Sequence, residues 1–390
     1  MINYWRQFLD KKDILSVSNI LKSNWLTQGP IVKKFETALK KKFGANYCCV
    51  VSNGTAALHL AGLSLGWKKG DIVIASSLSF LASSNSIIYT GATPSFVDIN
   101  PTTYTIDVRQ VEKKLKIFAN RNKKVVAIIA TDYAGHPCDW KKLKLISKKY
   151  NVKLINDNCH AIGASYKNDS KYALKFADVV THSYHPVKNI TTGEGGSILT
   201  NNKAIDKKVR SLRSHGITRN VKEMKKYDGP WYYEMNDLGF NYRITDFQCA
   251  LGLSQLKKLN KFVKKRKEIA KIYDLQFKNS NFYTIPHTSK DSSHSYHLYP
   301  LKINFSNKDQ KKRLFQKLKN KKINVQVHYI PIHLQPYYKK RYNFKKGDCP
   351  ITEEFYTKEL SLPIFYSLKK KDIYKVIRVI KEFCEKNLWR

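Results

Sequence analysis

From Asp71 onward the chain alternates short apolar runs, rich in β-branched residues, with longer segments of helical period. Runs at 72–75, 95–99, 125–130 and 152–155 read as strands, and segments at 80–89, 108–118 and 140–150 read as helices. Such alternation from residue 72 to residue 155 constrains the fold more than any other feature. Strands joined by helical crossovers lie parallel, and both faces of their sheet are covered. Ligands of such sheets bind beyond the carboxyl ends of the strands, so the segments that leave those ends are where chemistry is expected.

Three of these exits stand out. The run 47–51 ends in Ser52-Asn53-Gly54-Thr55 and passes into an apolar helix at 58–65. A small-residue turn at a helix N-terminus leaves main-chain N–H groups and the positive helix end facing an anion, so Asn53, Gly54 and Thr55 read as a phosphate cradle. The run 152–155 leads into Asn156-Asp157-Asn158-Cys159-His160, and the run 177–181 leads into Ser183-Tyr184-His185-Pro186-Val187-Lys188. Thr191-Thr192-Gly193-Glu194-Gly195-Gly196 closes that second loop and starts a further apolar run at 195–200. Lys188 is thus a lysine on a loop fixed at both ends, unlike the many that punctuate polar surface.

Composition narrows the rest. The 390 residues suffice for two lobes at about 100–200 residues per domain, and the expected division is 1–246, an N-terminal arm with the large domain, and 247–390, a smaller α+β domain. A net charge of +41 would suit a polyanion partner, but only 12 of the 71 basic residues are arginine and the lysines run the whole length. Nucleic-acid sites favour arginine for bidentate contacts, so the charge reads as compositional background that favours anionic small ligands; a basic polyanion-binding protein on the same scaffold is the rival reading. Seven scattered cysteines with no Cys-x-x-Cys pair indicate neither a disulfide framework nor a metal site. The start of the chain lacks signal-peptide character and no apolar run approaches membrane-spanning length, so a cytoplasmic protein with no membrane insertion is expected.

The segment Ser183 to Gly196 resembles the cofactor-lysine segment of the DegT/DnrJ/EryC1/StrS sugar aminotransferases. Asp157 with the following His160-Ala161-x-Gly163, and Gly239-Phe240-Asn241-Tyr242-Arg243, resemble two further segments of that family, although Asn156 stands where glutamate is commoner. The resemblance covers nearly the whole chain. It implies the fold type I architecture of pyridoxal 5'-phosphate (PLP) enzymes, with Lys188 catalytic and carrying the cofactor. Asn53, Gly54, Thr55 and Ser183 would hold the cofactor phosphate, Phe80 and His160 would flank the ring, and Asp157 would keep its nitrogen protonated. Asn241 would reach the cofactor of a neighbouring subunit, which implies a homodimer with shared sites. Tyr4, the turn Asn24-Trp25-Leu26-Thr27 and the segment Gln326-Val327-His328-Tyr329 would surround the substrate. Segments of the second lobe most resemble the branch of the family that serves pseudaminic acid biosynthesis, implying L-glutamate and a UDP-linked 4-keto-6-deoxy sugar as substrates; other nucleotide sugars are the nearest alternative.

Within the second lobe a single basic helix is expected at 247–277, strands at 296–303 and 325–330, and helices at 309–318, 352–360 and 372–387. The stretch 215–236, polar and aromatic with little period, reads as a flap.

Overall fold

A computed structural model describes residues 1–387. Its centre is a seven-stranded sheet in the spatial order Tyr47–Val51, Gly196–Thr200, Val179–Ser183, Lys153–Asp157, Val125–Thr131, Ile72–Ser76, Thr93–Val97. All neighbours pair in parallel except Gly196–Thr200, which runs antiparallel to the strand on either side. Alternate residues of each strand feed opposite cores: Leu154, Val180 and Ile128 join one, Ile155, Val179 and Ile129 the other. This period of two is why both faces need helices, and why nearly continuous apolar runs mark the strands. The sheet is the expected α/β architecture of fold type I.

The N-terminal arm reaches across the molecule. Ile2 pairs with Ile323 and packs in the second lobe's core. Helix Lys11–Leu21 follows, started by a capping box in which Asp10 accepts from Asp13 N and Asp13 returns the bond. Its apolar residues Ile14, Leu15 and Leu21 stay exposed. It docks instead through buried Asp13, which accepts from Lys258 Nζ at 2.7 Å and Gln255 Nε2 at 2.9 Å.

That contact explains why the helix expected at 247–277 is two. Asp246–Leu256 lies against the first two helices of the chain, and Leu259–Phe277 begins anew after Lys257 and Lys258. Between them Lys258 is drawn to Asp10 and Asp13. The second helix contributes Leu259, Phe262 and Val263 to a core under the sheet, then Ile269, Tyr273 and Phe277 to the core of the other lobe. There Tyr299–Ile303 runs antiparallel between Tyr283–Thr284 and Glu359–Leu362, backed by Lys308–Asn320 and Lys370–Asn387.

No regular strand forms at 325–330. The segment is extended but, among the described residues, makes main-chain pairing with the small sheet only at the Gln326–Ser361 bridge. The main-chain groups of His328 go to side chains: its N–H donates to Glu359 and its C=O accepts from Tyr133 Oη. Main-chain groups freed from a ladder must find partners when buried, and here they do so while the segment stays free to line a cavity. The stretch 215–236 carries a short ribbon, Ile217–Thr218 with Glu234–Met235. Among the described residues no helix is long and apolar enough to cross a membrane.

Candidate active site

A cavity of about 1060 Å³ opens where the strands' carboxyl ends meet the second lobe. Asn53, Gly54, Thr55, Phe80, Asp157, His160, Ser183 and Lys188 line it, together with Tyr4, Gln326, Val327, His328 and Tyr329. The exits singled out in the sequence therefore converge on one space.

At the first exit Asn53 caps helix Gly54–Ser64, its side chain accepting from Ala56 N at 2.8 Å. The N–H groups of Gly54 and Thr55 have no acceptor among the described residues. Gly54 has no room for a side chain, since a Cβ there would lie 2.7 Å from Ser183 Cβ. Two free N–H groups at a positive helix end, with the Ser183 hydroxyl beside them, fit a phosphate. Asp157 ends its strand buried, Oδ2 accepting from Ser83 Oγ at 2.5 Å and Thr131 Oγ1 at 3.4 Å, Oδ1 from Cys159 N at 3.3 Å. Its carboxylate is held in orientation from three sides.

Lys188 sits on a tightly tied loop. Tyr184 N bonds Gly195 O, Thr192 N and Thr191 Oγ1 bond Tyr184 O, and Asn189 Nδ2 bonds Ile162 O. Gly193 has φ of 83°, a conformation that glycine reaches without strain. Among the described residues the Lys188 ammonium has neither ion pair nor hydrogen bond. Burial lowers its pKa, opposed by the neighbouring Cys159 thiol and by the carboxylates of Asp157 and Glu194. An unpaired amine with a lowered pKa is poised to act as nucleophile and base. Phosphate cradle, buried carboxylate and free amine in one cavity fit PLP, whose phosphate, ring nitrogen and aldehyde need these three partners.

His160 is buried with its ring 4.4 Å from that of His297 and 5.9 Å from that of Tyr329. Ala134 N, which can only donate, approaches His160 Nδ1 at 3.4 Å, so Nε2 carries the proton and points to Tyr329 Oη at 3.0 Å. Burial, then Lys188 and His328, keep this imidazole neutral. Phe80 is half exposed at the cavity mouth, its ring 5.9 Å from that of Tyr329.

Two sets of expected residues lie elsewhere in the single chain. Asn24, Trp25, Leu26 and Thr27 do not line the cavity; Thr27 bridges to Thr245, and Trp25 and Leu26 are exposed. Asn241 is exposed too, bridging to Ser214, while its neighbour Tyr242 lines the cavity. Trp5, Ser83, Glu194 and His297 line it without having been assigned a role in the site. Trp5, adjacent to Tyr4, and Glu194, inside the lysine-loop segment, carried a sequence signal; a serine inside a helix carries none.

Residues 7–381 match the model of the DegT/DnrJ/EryC1/StrS aminotransferase family. The UDP-4-amino-4,6-dideoxy-N-acetyl-beta-L-altrosamine transaminase of Campylobacter jejuni is 37% identical over 374 residues, 95% of this chain and 94% of that protein. GDP-perosamine synthase of Escherichia coli O157:H7 is 34% identical over 384 residues, 98% of each chain. The solved structure of Helicobacter pylori PseC, an aminotransferase of pseudoaminic acid biosynthesis, superposes with a TM-score of 0.89 at 31% identity, covering 99% of both chains. With the sheet, the cavity and these likenesses in agreement, the chain belongs to the DegT/DnrJ/EryC1/StrS aminotransferase family and is a PLP-dependent sugar aminotransferase.

Proposed function

We propose that the chain transfers the amino group of L-glutamate to C4 of a UDP-linked 4-keto-6-deoxy-N-acetylhexosamine, giving UDP-4-amino-4,6-dideoxy-N-acetyl-beta-L-altrosamine for pseudaminic acid biosynthesis. The observation that carries the catalytic part is the unpaired Lys188 amine in a cavity shared with Asp157 and the open N–H cradle. Lys188 Nζ is the atom that would hold the cofactor and, once the incoming amine has displaced it, would take and return the proton at the substrate carbon. Asn53, Gly54, Thr55 and Ser183 anchor the phosphate, so that this proton moves at fixed geometry. Asp157 holds a proton on the ring nitrogen, with Ser83 orienting it. Phe80 and His160, which line the same cavity, would flank the ring. When bound, PLP supplies an electron sink for the carbon that loses its proton.

On the substrate side the cavity offers Tyr4, Gln326, Val327, His328 and Tyr329. Because its substrate is a nucleotide sugar, we place the reaction in the cytoplasm. Mass spectrometry of products from glutamate with a panel of UDP- and GDP-linked 4-keto sugars tests this reading. The expected result is amination of the UDP-linked N-acetyl sugar; amination confined to a GDP-linked sugar would replace the substrate assignment.

The working form is a homodimer. The cavity's one basic lysine or arginine side chain among the described residues is Lys188, yet glutamate and a diphosphate are both anionic. Asn241, the turn Asn24 to Thr27 and exposed Ile14, Leu15 and Leu21 are available to a second copy. Mixing Lys188→Ala and Asn241→Ala protomers checks this. A heterodimer holds one site with both groups intact, so activity should exceed the sum of the separate samples. No gain in verified heterodimers would mean each site is complete within one chain.

A further inference from the structure

His328 reaches the cavity with its polar groups tied to buried side chains. Its N–H donates to Glu359 Oε2 at 3.0 Å, its ring Nδ1 lies 2.9 Å from Ser361 Oγ, and Ser361 Oγ lies 2.5 Å from Glu359 Oε1. All three residues are buried. The other ring nitrogen, Nε2, has no hydrogen-bond partner among the described residues, and His328 lines the cavity.

A serine hydroxyl has one proton to place. If Ser361 donates to an ionised Glu359, its oxygen accepts from Nδ1–H and Nε2 shows the cavity a lone pair. If Glu359 is protonated on Oε1, it donates to Ser361, which donates to Nδ1, and Nε2 must carry the proton. The main-chain bond on Oε2 permits both arrangements. An imidazolium suits neither: burial, then the charge of Lys188, push the His328 pKa down to about 3.

We propose that Glu359, acting through Ser361, sets which ring nitrogen of His328 is protonated, and so whether Nε2 meets the sugar nucleotide as acceptor or donor. This rests on the substrate class proposed above. The productive arrangement is the acceptor, since a sugar's hydroxyl and acetamido groups offer protons to it. Glu359 and Ser361 are positioning residues; neither touches substrate. Glu359 is faced by Lys311 and by the phenols Tyr104, Tyr133 and Tyr329, and His328 by Lys188, His160 and His297. Burial raises the Glu359 carboxyl to about 8, with Ser361, Lys311 and the His328 N–H opposing it, so the two arrangements exchange as that carboxyl titrates.

The test is nitrogen NMR of the PLP-loaded protein labelled in its histidine rings, with the His328 signals identified by their loss in His328→Gln. In the wild type the proton should pass from Nε2 to Nδ1 as pH rises through about 8. Glu359→Gln should fix it on Nε2 at every pH, because the amide can donate to Ser361 while its oxygen keeps the His328 N–H. With the sugar nucleotide, this variant should lose about tenfold in kcat/KM, one hydrogen bond's worth, together with the wild type's rise near that pH. Ser361→Ala should break the link, leaving a ring that ignores the Glu359 titration; this variant decides the matter if Glu359→Gln fails to fold. The same ring protonation at all pH values in wild type and Glu359→Gln, or a wild-type pH response in Ser361→Ala, would overturn the proposal. The NMR result needs no sugar, so a failed amination panel would sink the substrate reading without deciding this one.

Discussion

Lys188→Ala should turn over glutamate and sugar nucleotide at least about 10⁴-fold more slowly than the wild type, the upper range for a positioned acid–base group. The loss should leave the fold almost untouched. The Lys188 side chain has no ion pair or hydrogen bond among the described residues, so its removal strands no buried partner, and a stability change within about 1 kcal/mol is expected. In the wild type the burial that lowers the amine's pKa enlarges the fraction that is neutral near pH 7. A neutral amine can bond to the cofactor and take a proton; an ammonium can do neither. Borohydride treatment of the wild-type holoprotein, followed by peptide mapping, should place a pyridoxyl group on Lys188. A label on another lysine, or alanine-variant turnover within tenfold of wild type, would remove Lys188 from its role.

The features readable in the sequence share a physical property: each is local. Asn53-Gly54-Thr55, Asp157 and Lys188 all stand just beyond apolar runs, and a turn after a buried strand is where a parallel sheet exposes its functional end. What escaped reading depends on contacts distant in sequence. Ser83 orients Asp157 from 74 residues away, and nothing near Ser83 distinguishes it from its helical neighbours. The break in the helix expected at 247–277 comes from Lys258 meeting Asp10 and Asp13, whereas the local pattern favours continuous helix. Residues 325–330 have the apolar alternation of a strand, but buried side chains take the hydrogen bonds a sheet would have made. Asn24 to Thr27 and Asn241 lie outside the cavity of the single chain; in the dimer proposed above they would serve it from a second copy, a relation that no local pattern displays.

Asp157→Asn should retain the fold and the cofactor and lose roughly two to three orders of magnitude in transamination rate. The carboxylate accepts from Ser83, Thr131 and Cys159 N. An asparagine can keep its oxygen toward Ser83 and Thr131, turning its NH₂ toward the longer contact with Cys159 N, at a cost of about 1–3 kcal/mol in stability. It cannot replace the charge. Breaking a buried ion pair by removing one partner costs about 3–5 kcal/mol, and at about 1.4 kcal/mol per factor of ten that sets the expected rate loss. Ser83→Ala separates charge from orientation: it keeps the carboxylate and removes its closest donor, so it should cost only about tenfold, the worth of one hydrogen bond. Single-turnover rates of the two cofactor-loaded variants provide the comparison. If Asp157→Asn is no slower than Ser83→Ala, Asp157 is a strand-end turn former, and the ring nitrogen draws its proton from another group.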